Sequence, residues 1–89
     1  MNQMFGMNIE QIRALSGQLD AAGHEVEQIL ASLTKGLSVT PWKGNDRTRF
    51  EHEWQTAHTA GLRNAAAALH QAARGAKQSA DEQHRASEH

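Results

Sequence analysis

Pro41-Trp42-Lys43-Gly44 lies almost at the midpoint of an 89-residue chain, and its reading decides the fold. Pro41 is the only proline, so a long proline-free segment runs on each side of it. Two long helices folded back on each other across one turn satisfy that layout. Gly36 and residues 37–40 close the first periodic run, and Thr40, preceding proline, is biased towards extended backbone. Asn45 and Asp46 suit a helix start, where side-chain oxygens accept from free N–H groups and an acid complements the dipole. The second helix is therefore expected to begin near Gly44 to Asp46. A turn capped by Thr40, with Pro41 at the first helical position, is the other solution. Gly44 serves its backbone, through positive φ or through close approach to Trp42. Trp42 is either a recognition residue at the bundle end or a hydrophobic cap over the turn.

Working outward on the N-terminal side, Asn8 with Gln11 three positions on resembles a capping box. From Ile9 the period is helical. Ile12, Leu19, Val26 and Leu33 recur every seven residues, with Leu15, Ala22 and Ile29 as the second line of the heptad. Ile9, Leu30 and Leu37 widen the stripe beyond a two-stranded seam. Helix one is expected over about 9–37 and would be about 43 Å long at ~1.5 Å per residue. Gly17 and Gly23 inside it each cost roughly 1 kcal/mol against alanine. Such a helix depends on tertiary packing.

On the C-terminal side, Phe50, Trp54, Ala57, Gly61, Ala65, Leu69, Ala72 and Ala76 follow at steps of three and four, the period of a nearly straight helix. Leu62, Ala66, Ala73 and Ala80 lie beside that stripe. Helix two is expected over about 46–84, after a turn at about 38–45 and before a frayed tail at 85–89. The stripe is bulky near the turn and small beyond it, which lets a partner approach closely.

The expected fold is all-α, an antiparallel helical hairpin forming one domain over 1–89. Two helices cannot cover stripes this wide, and so small a chain rarely stabilises itself on so thin a core. A second hairpin docking face to face completes a four-helix-bundle dimer. The expected partner interface comprises Ile12, Leu15, Leu19, Val26, Ile29, Leu30 and Leu33 from helix one. Phe50, Trp54, Gly61, Ala65 and Leu69 join it from helix two.

Composition narrows the function classes. Nine basic residues against ten acidic ones give no net field for nucleic acid. Arg47, Arg49, Arg63, Arg74 and Lys77 form only a scattered stripe, with Glu51 and Glu53 interleaved. The absence of cysteine excludes disulfides, thiolate metal sites and cysteine catalysis. No Sec-type signal peptide and no membrane-spanning apolar run is evident, so neither membrane insertion nor Sec export is expected. Six histidines include no pair at i, i+4, and no metal or other cofactor is expected. Glu51 and Glu53 flank His52 but point about 100° apart from their neighbour, so no acid/base site converges. Nothing suggests an enzyme.

Trp42-Lys43-Gly44 between two helices, with Phe50 and Trp54 on the first turns of the second, resembles the WXG family of small type VII (ESX) secretion substrates. That family includes the early secreted antigenic target proteins of actinobacteria and firmicutes. The likeness covers the whole chain in length, layout and motif position. It implies a homodimer, or a heterodimer with a related WXG protein or a larger effector. It also implies passage from the cytoplasm to the outside through a machine driven by a type VII secretion ATPase. Many members end in an export signal with a tyrosine four residues before Asp or Glu. This chain has no tyrosine, and His84 with Glu88 is the nearest equivalent, one helical turn apart. A cytoplasmic helical-bundle dimerisation or regulatory module is the alternative.

Overall fold

The computed structural model describes residues 8–87 as two antiparallel helical rods, packed side by side in a molecule of 68 × 18 × 18 Å. The first rod, α1, spans Ile9–Val39. Its start is set by Asn8, whose Oδ1 accepts the Glu10 N–H at 2.8 Å and whose carbonyl accepts from Ile12 N at 3.1 Å. Its end lies two residues beyond the expected 37. Proline restricts the residue just before it, so the helix continues until Thr40, which is extended at φ −79°, ψ 133°.

The second rod begins at Asp46, as the acidic first turn suggests, and the solution in which Pro41 opens the helix is not adopted. It is not one uniform helix. α2 spans Asp46–Glu53, a π-helical turn covers Trp54–His58, and α3 spans Thr59–Ser87. The Thr59 N–H reaches back to the Trp54 carbonyl, the five-residue closure of a π turn. Two hydroxyls bond into the same stretch: Thr56 Oγ1 to the His52 carbonyl at 2.7 Å, and Thr59 Oγ1 to that of Gln55 at 2.9 Å. Such back-bonding competes for carbonyls with the i−4 ladder and loosens it.

The extra residue in the π turn rotates α3 about its own axis. The buried line of α3 is Thr59, Ala66, Ala73 and Ala80, one residue every two turns. Gly61, Ala65 and Ala72, at the centre of the stripe expected from the sequence, are exposed beside it, and Leu69 and Ala76 are half-buried. α3 also continues to Ser87, three residues past the expected limit of 84. His84 and Arg85 lie in its last turn, where cations complement the carbonyl end of the dipole.

The seam of α1 is built from Ile12, Ser16, Leu19, Gly23, Val26 and Leu30, all buried or half-buried. Ile12 and Leu30 are its buried large side chains, facing the alanines of α3. Each contributes about 1.5–3 kcal/mol by leaving water. Ser16 Oγ donates across the seam to the Ala73 carbonyl at 2.7 Å, and Arg13 pairs with Asp81 at 3.1 Å. The exposed ion pair adds little, about 0–1 kcal/mol. No large side chain among the described residues is fully buried, so the hairpin has a thin core. Among them, no helix is long and apolar enough to cross a membrane.

Candidate functional site: the turn and its aromatic ladder

Gly44 has φ +60°, the left-handed conformation that other residues adopt only at a cost. A Cβ built there would meet nothing within 4 Å. Of the two roles open to Gly44, the structure therefore favours positive φ over close approach. The turn is closed by Asp46 N–H donating to the Lys43 carbonyl at 3.3 Å. Asn45 precedes the helix without a side-chain capping bond.

The end of α1 is satisfied by a residue from the other side of the turn. Arg47 Nη2 lies 3.2, 2.6 and 3.2 Å from the carbonyl oxygens of Leu37, Ser38 and Thr40. Those carbonyls are the orphans of a helix C-terminus, and a guanidinium meets both their hydrogen-bonding and their electrostatic demand. Glu51 Oε1 sits 3.1 Å from Arg47 Nε as a charge contact outside hydrogen-bond alignment, so that buried nitrogen has no aligned partner. Thr40 Oγ1 and Ser38 Oγ add bonds to the Gly36 and Lys35 carbonyls. Sequence reading places Arg47 only among scattered basic residues. Its signal was present: a cation in the first turn of a helix opposes that helix's own dipole, so it serves another group.

Trp42 is half-buried and donates its indole N–H to the Leu37 carbonyl at 3.3 Å. Its ring stacks on Phe50 at a centroid distance of 5.4 Å, Phe50 on Trp54 at 6.5 Å, and Trp54 approaches His58 at 6.1 Å. Four rings thus climb from the turn along α2 and the π segment. Trp54 ties the ladder to α1, donating to Thr34 Oγ1 at 3.0 Å. Phe50 is 39% exposed, so the ladder presents a face as well as a core. Trp42, Phe50, Asp46, Arg49 and Glu53 line an open groove at this end.

The expected interface residues of α1 divide into two sets. Ile12 and Leu30 are buried within the single hairpin, with Leu19 and Val26 half-buried beside them. Leu15, Ile29 and Leu33 face outward, 43%, 49% and 49% exposed. Leu33 also lines a groove with Trp54, His58, Gly61 and Leu62, so this outer ridge is continuous with the ladder. His84 lies on the last turn of α3, far from the turn motif; Glu88 lies outside the described residues.

A second constellation, away from the turn, joins the two rods at mid-length. His70 Nδ1 is 2.6 Å from Asp20 Oδ1, and its Nε2 is 3.4 Å from Glu27 Oε2. His24 pairs with the same two carboxylates, Nε2 to Asp20 Oδ2 at 3.4 Å and Nδ1 to Glu27 Oε1 at 3.3 Å. The bond to Asp20 raises the imidazole of His70 above its ordinary range, against a smaller opposing effect of burial. The same bond lowers the Asp20 carboxyl. Counting histidine spacings along one helix misses this cluster, because His70 comes from the other rod. No family model, curated protein or solved structure matches the chain.

Proposed function

We propose that the chain is a non-enzymatic, exported interaction protein of the WXG kind. In this reading it acts as a dimeric substrate of a type VII secretion system, or as an adaptor for a partner effector. It is cytoplasmic before export and secreted without a Sec signal. The observation that carries the reading is the outward ridge of Leu15, Ile29 and Leu33 running into an aromatic ladder at a Trp-x-Gly turn. A thin-cored hairpin gains stability by covering such a ridge, and a second hairpin of the same or a related sequence offers a matching length and shape. The exposed small residues Gly61, Ala65 and Ala72 allow a partner helix to come close.

Trp42 has an anchored indole and a neighbour, Phe50, with an exposed edge, which suits recognition by an export machine at the hairpin tip. His84 and Glu88 are the tail residues assigned to the export signal. The competing cytoplasmic module, if it bound nucleic acid, would need free cations near the turn. Arg47 and Arg49 are instead engaged by Glu51 and Asp46 at 3.1 Å each, which leaves Lys43 and Lys35, too few for a cationic face.

The test is fractionation of the native host, with the chains that co-purify identified by mass. The expected result is protein in the medium, a WXG-type or effector partner or a second copy bound to it, and loss of export with Trp42→Ala. Retention in washed cells with none in the medium would establish the cytoplasmic module instead.

A further inference from the structure

We propose that Asp20, His24 and His70 form an interhelical binding site for a first-row divalent cation of the zinc type, with Glu27 as its orienting carboxylate. Asp20, His24 and His70 each offer one donor atom, and these atoms lie within 4.8 Å of one another. Asp20 and His24 are one helical turn apart on α1, and His70 reaches them from α3. Two imidazole nitrogens and a carboxylate oxygen suit zinc and its neighbours, and do not suit magnesium or calcium, which take oxygen donors.

The arrangement of the outer nitrogens argues for a metal beyond mere proximity. Ligating imidazoles characteristically give their second N–H to a carboxylate, which fixes the tautomer and raises basicity. Glu27 stands beside both rings as a charge contact, Oε1 3.3 Å from His24 Nδ1 and Oε2 3.4 Å from His70 Nε2, from which a turn of its half-exposed carboxylate brings it into line with those N–H groups. That leaves His24 Nε2 and His70 Nδ1 facing the two oxygens of Asp20. A bound cation displaces the proton shared by His70 and Asp20 and spreads that pair, and the two carboxylates balance its charge.

The seat of His70 is independent support. Gly23 lies directly under the ring, and a Cβ there would stand 2.7 Å from Cε1, 2.8 Å from Nε2 and 3.0 Å from Nδ1. A glycine in mid-helix costs roughly 1 kcal/mol. Here its missing side chain is what lets His70 lie flat between Asp20 and Glu27, with only 18% of its side chain exposed. His24 is 64% exposed and free to adjust. At zinc–ligand bonds of about 2.0–2.1 Å, tetrahedral donors stand roughly 3.4 Å apart. To take the ion, the His70–Asp20 pair opens from 2.6 Å by about 0.8 Å, while the widest of the three donor separations, within 4.8 Å, closes as the exposed His24 turns inward. The solvent side supplies the remaining coordination position and the entry path. The site lies within one hairpin and so stands or falls separately from dimerisation and export.

The experiment is titration of the chelator-stripped full chain with Zn2+ at pH 7.5 against a chromogenic competitor, with Co2+ absorption as the report of nitrogen and oxygen coordination. The expected result is saturation at one ion per chain and a higher melting temperature. His24→Gln and Asp20→Asn, both at exposed positions, are expected to weaken binding at least tenfold while preserving metal-free helicity. Glu27→Gln is expected to weaken it about ten- to a hundredfold while preserving metal-free helicity and the one-ion stoichiometry, which marks a positioning residue. Gly23→Ala displaces His70 and is expected to lose affinity despite its better helix propensity. His52→Gln/His58→Gln should bind as the unmodified chain does. Absence of saturable binding overturns the proposal. So does affinity that survives His24→Gln or follows His52 and His58.

Discussion

Trp54 donates its indole N–H to Thr34 Oγ1 at 3.0 Å, the bond through which the aromatic ladder of the second rod is tied to the first. It spans the seam where the π turn starts, so it also fixes which way Trp54 faces. Trp54→Phe keeps an aromatic ring but removes the donor together with part of the indole, so the bond itself is read from the coupling of the two substitutions, Trp54→Phe and Thr34→Val, expected at about 0.5–1.5 kcal/mol. Thr34→Val, nearly isosteric, should cost about that amount by itself. In urea unfolding the double variant should be no worse than the larger single one. Full additivity in that cycle would show that the two side chains are not coupled.

Arg47 replaces the water that would otherwise solvate the end of α1. Arg47→Ala is expected to destabilise by about 1.5–3 kcal/mol, the range for hydrogen bonds to charged groups. Arg47→Lys should recover only a minor part, because all three contacts come from Nη2 at the far end of arginine, a reach the shorter lysine side chain lacks, and the Nε facing Glu51 is lost as well. Denaturant midpoints for the two variants decide the matter, and equal stability of the lysine variant and the unmodified protein would remove the clamp role.

Gly44 is required by its dihedral and not by crowding. Gly44→Ala should cost about 1–2 kcal/mol, the general penalty for left-handed backbone. Gly44→Asn should cost less, since asparagine visits that region more readily. A melting series that ranks alanine and asparagine alike, or in the reverse order, would contradict the dihedral requirement. Trp42 stacking should survive in both variants, because the added atoms enter open space.

The hairpin was legible because its determinants are local: one proline, one glycine needing positive φ, and apolar residues at helical spacing. The start at Asp46 followed from the same local chemistry. The π turn was not legible, since it depends on Thr56 and Thr59 hydroxyls choosing backbone carbonyls over solvent, a choice that composition does not reveal. With it went the face of α3, where the heptad of Thr59, Ala66, Ala73 and Ala80 replaces the stripe through Gly61, Ala65 and Leu69 as the buried line. The Asp20–His70 contact was out of reach for another reason. Fifty residues separate the pair in sequence, and only the register of the two rods brings them together.

That register makes stability pH-dependent in metal-free protein. His70 is raised above its ordinary value of 6.5, so its contribution is fully present below 6.5 and is lost as pH rises through the folded-state value. Asp20 is lowered below 3.8, so its contribution is present above 3.8 and is lost as pH falls through the folded-state value. The pair therefore supports the fold most between about pH 4 and 6.5. His24 and Glu27 on α1 share the cluster, and Arg74 and Lys77 on α3 line the groove beside Asp20. With a chelator present, the stability difference between the unmodified chain and His70→Gln should shrink from pH 6 to pH 9. A difference constant across that range would show that His70 does not titrate against Asp20.

Leu30 and Leu33 are three residues apart on α1 yet belong to different surfaces, 8% and 49% exposed. A charge at Leu30 is buried within the single hairpin, where an unpaired carboxylate is strongly unfavourable. A charge at Leu33 faces outward and is penalised only where a partner covers it. Leu30→Asp is therefore expected to abolish cooperative folding, seen as loss of helical circular dichroism. Leu33→Asp should keep helicity at high protein concentration while light scattering shows the mass of one chain. Leu15→Asp and Ile29→Asp should behave as Leu33→Asp does, because they share its ridge. The contrast separates the core from the proposed interface within one helix turn. A dimer that persists through all three outward substitutions would place the association surface elsewhere on the hairpin.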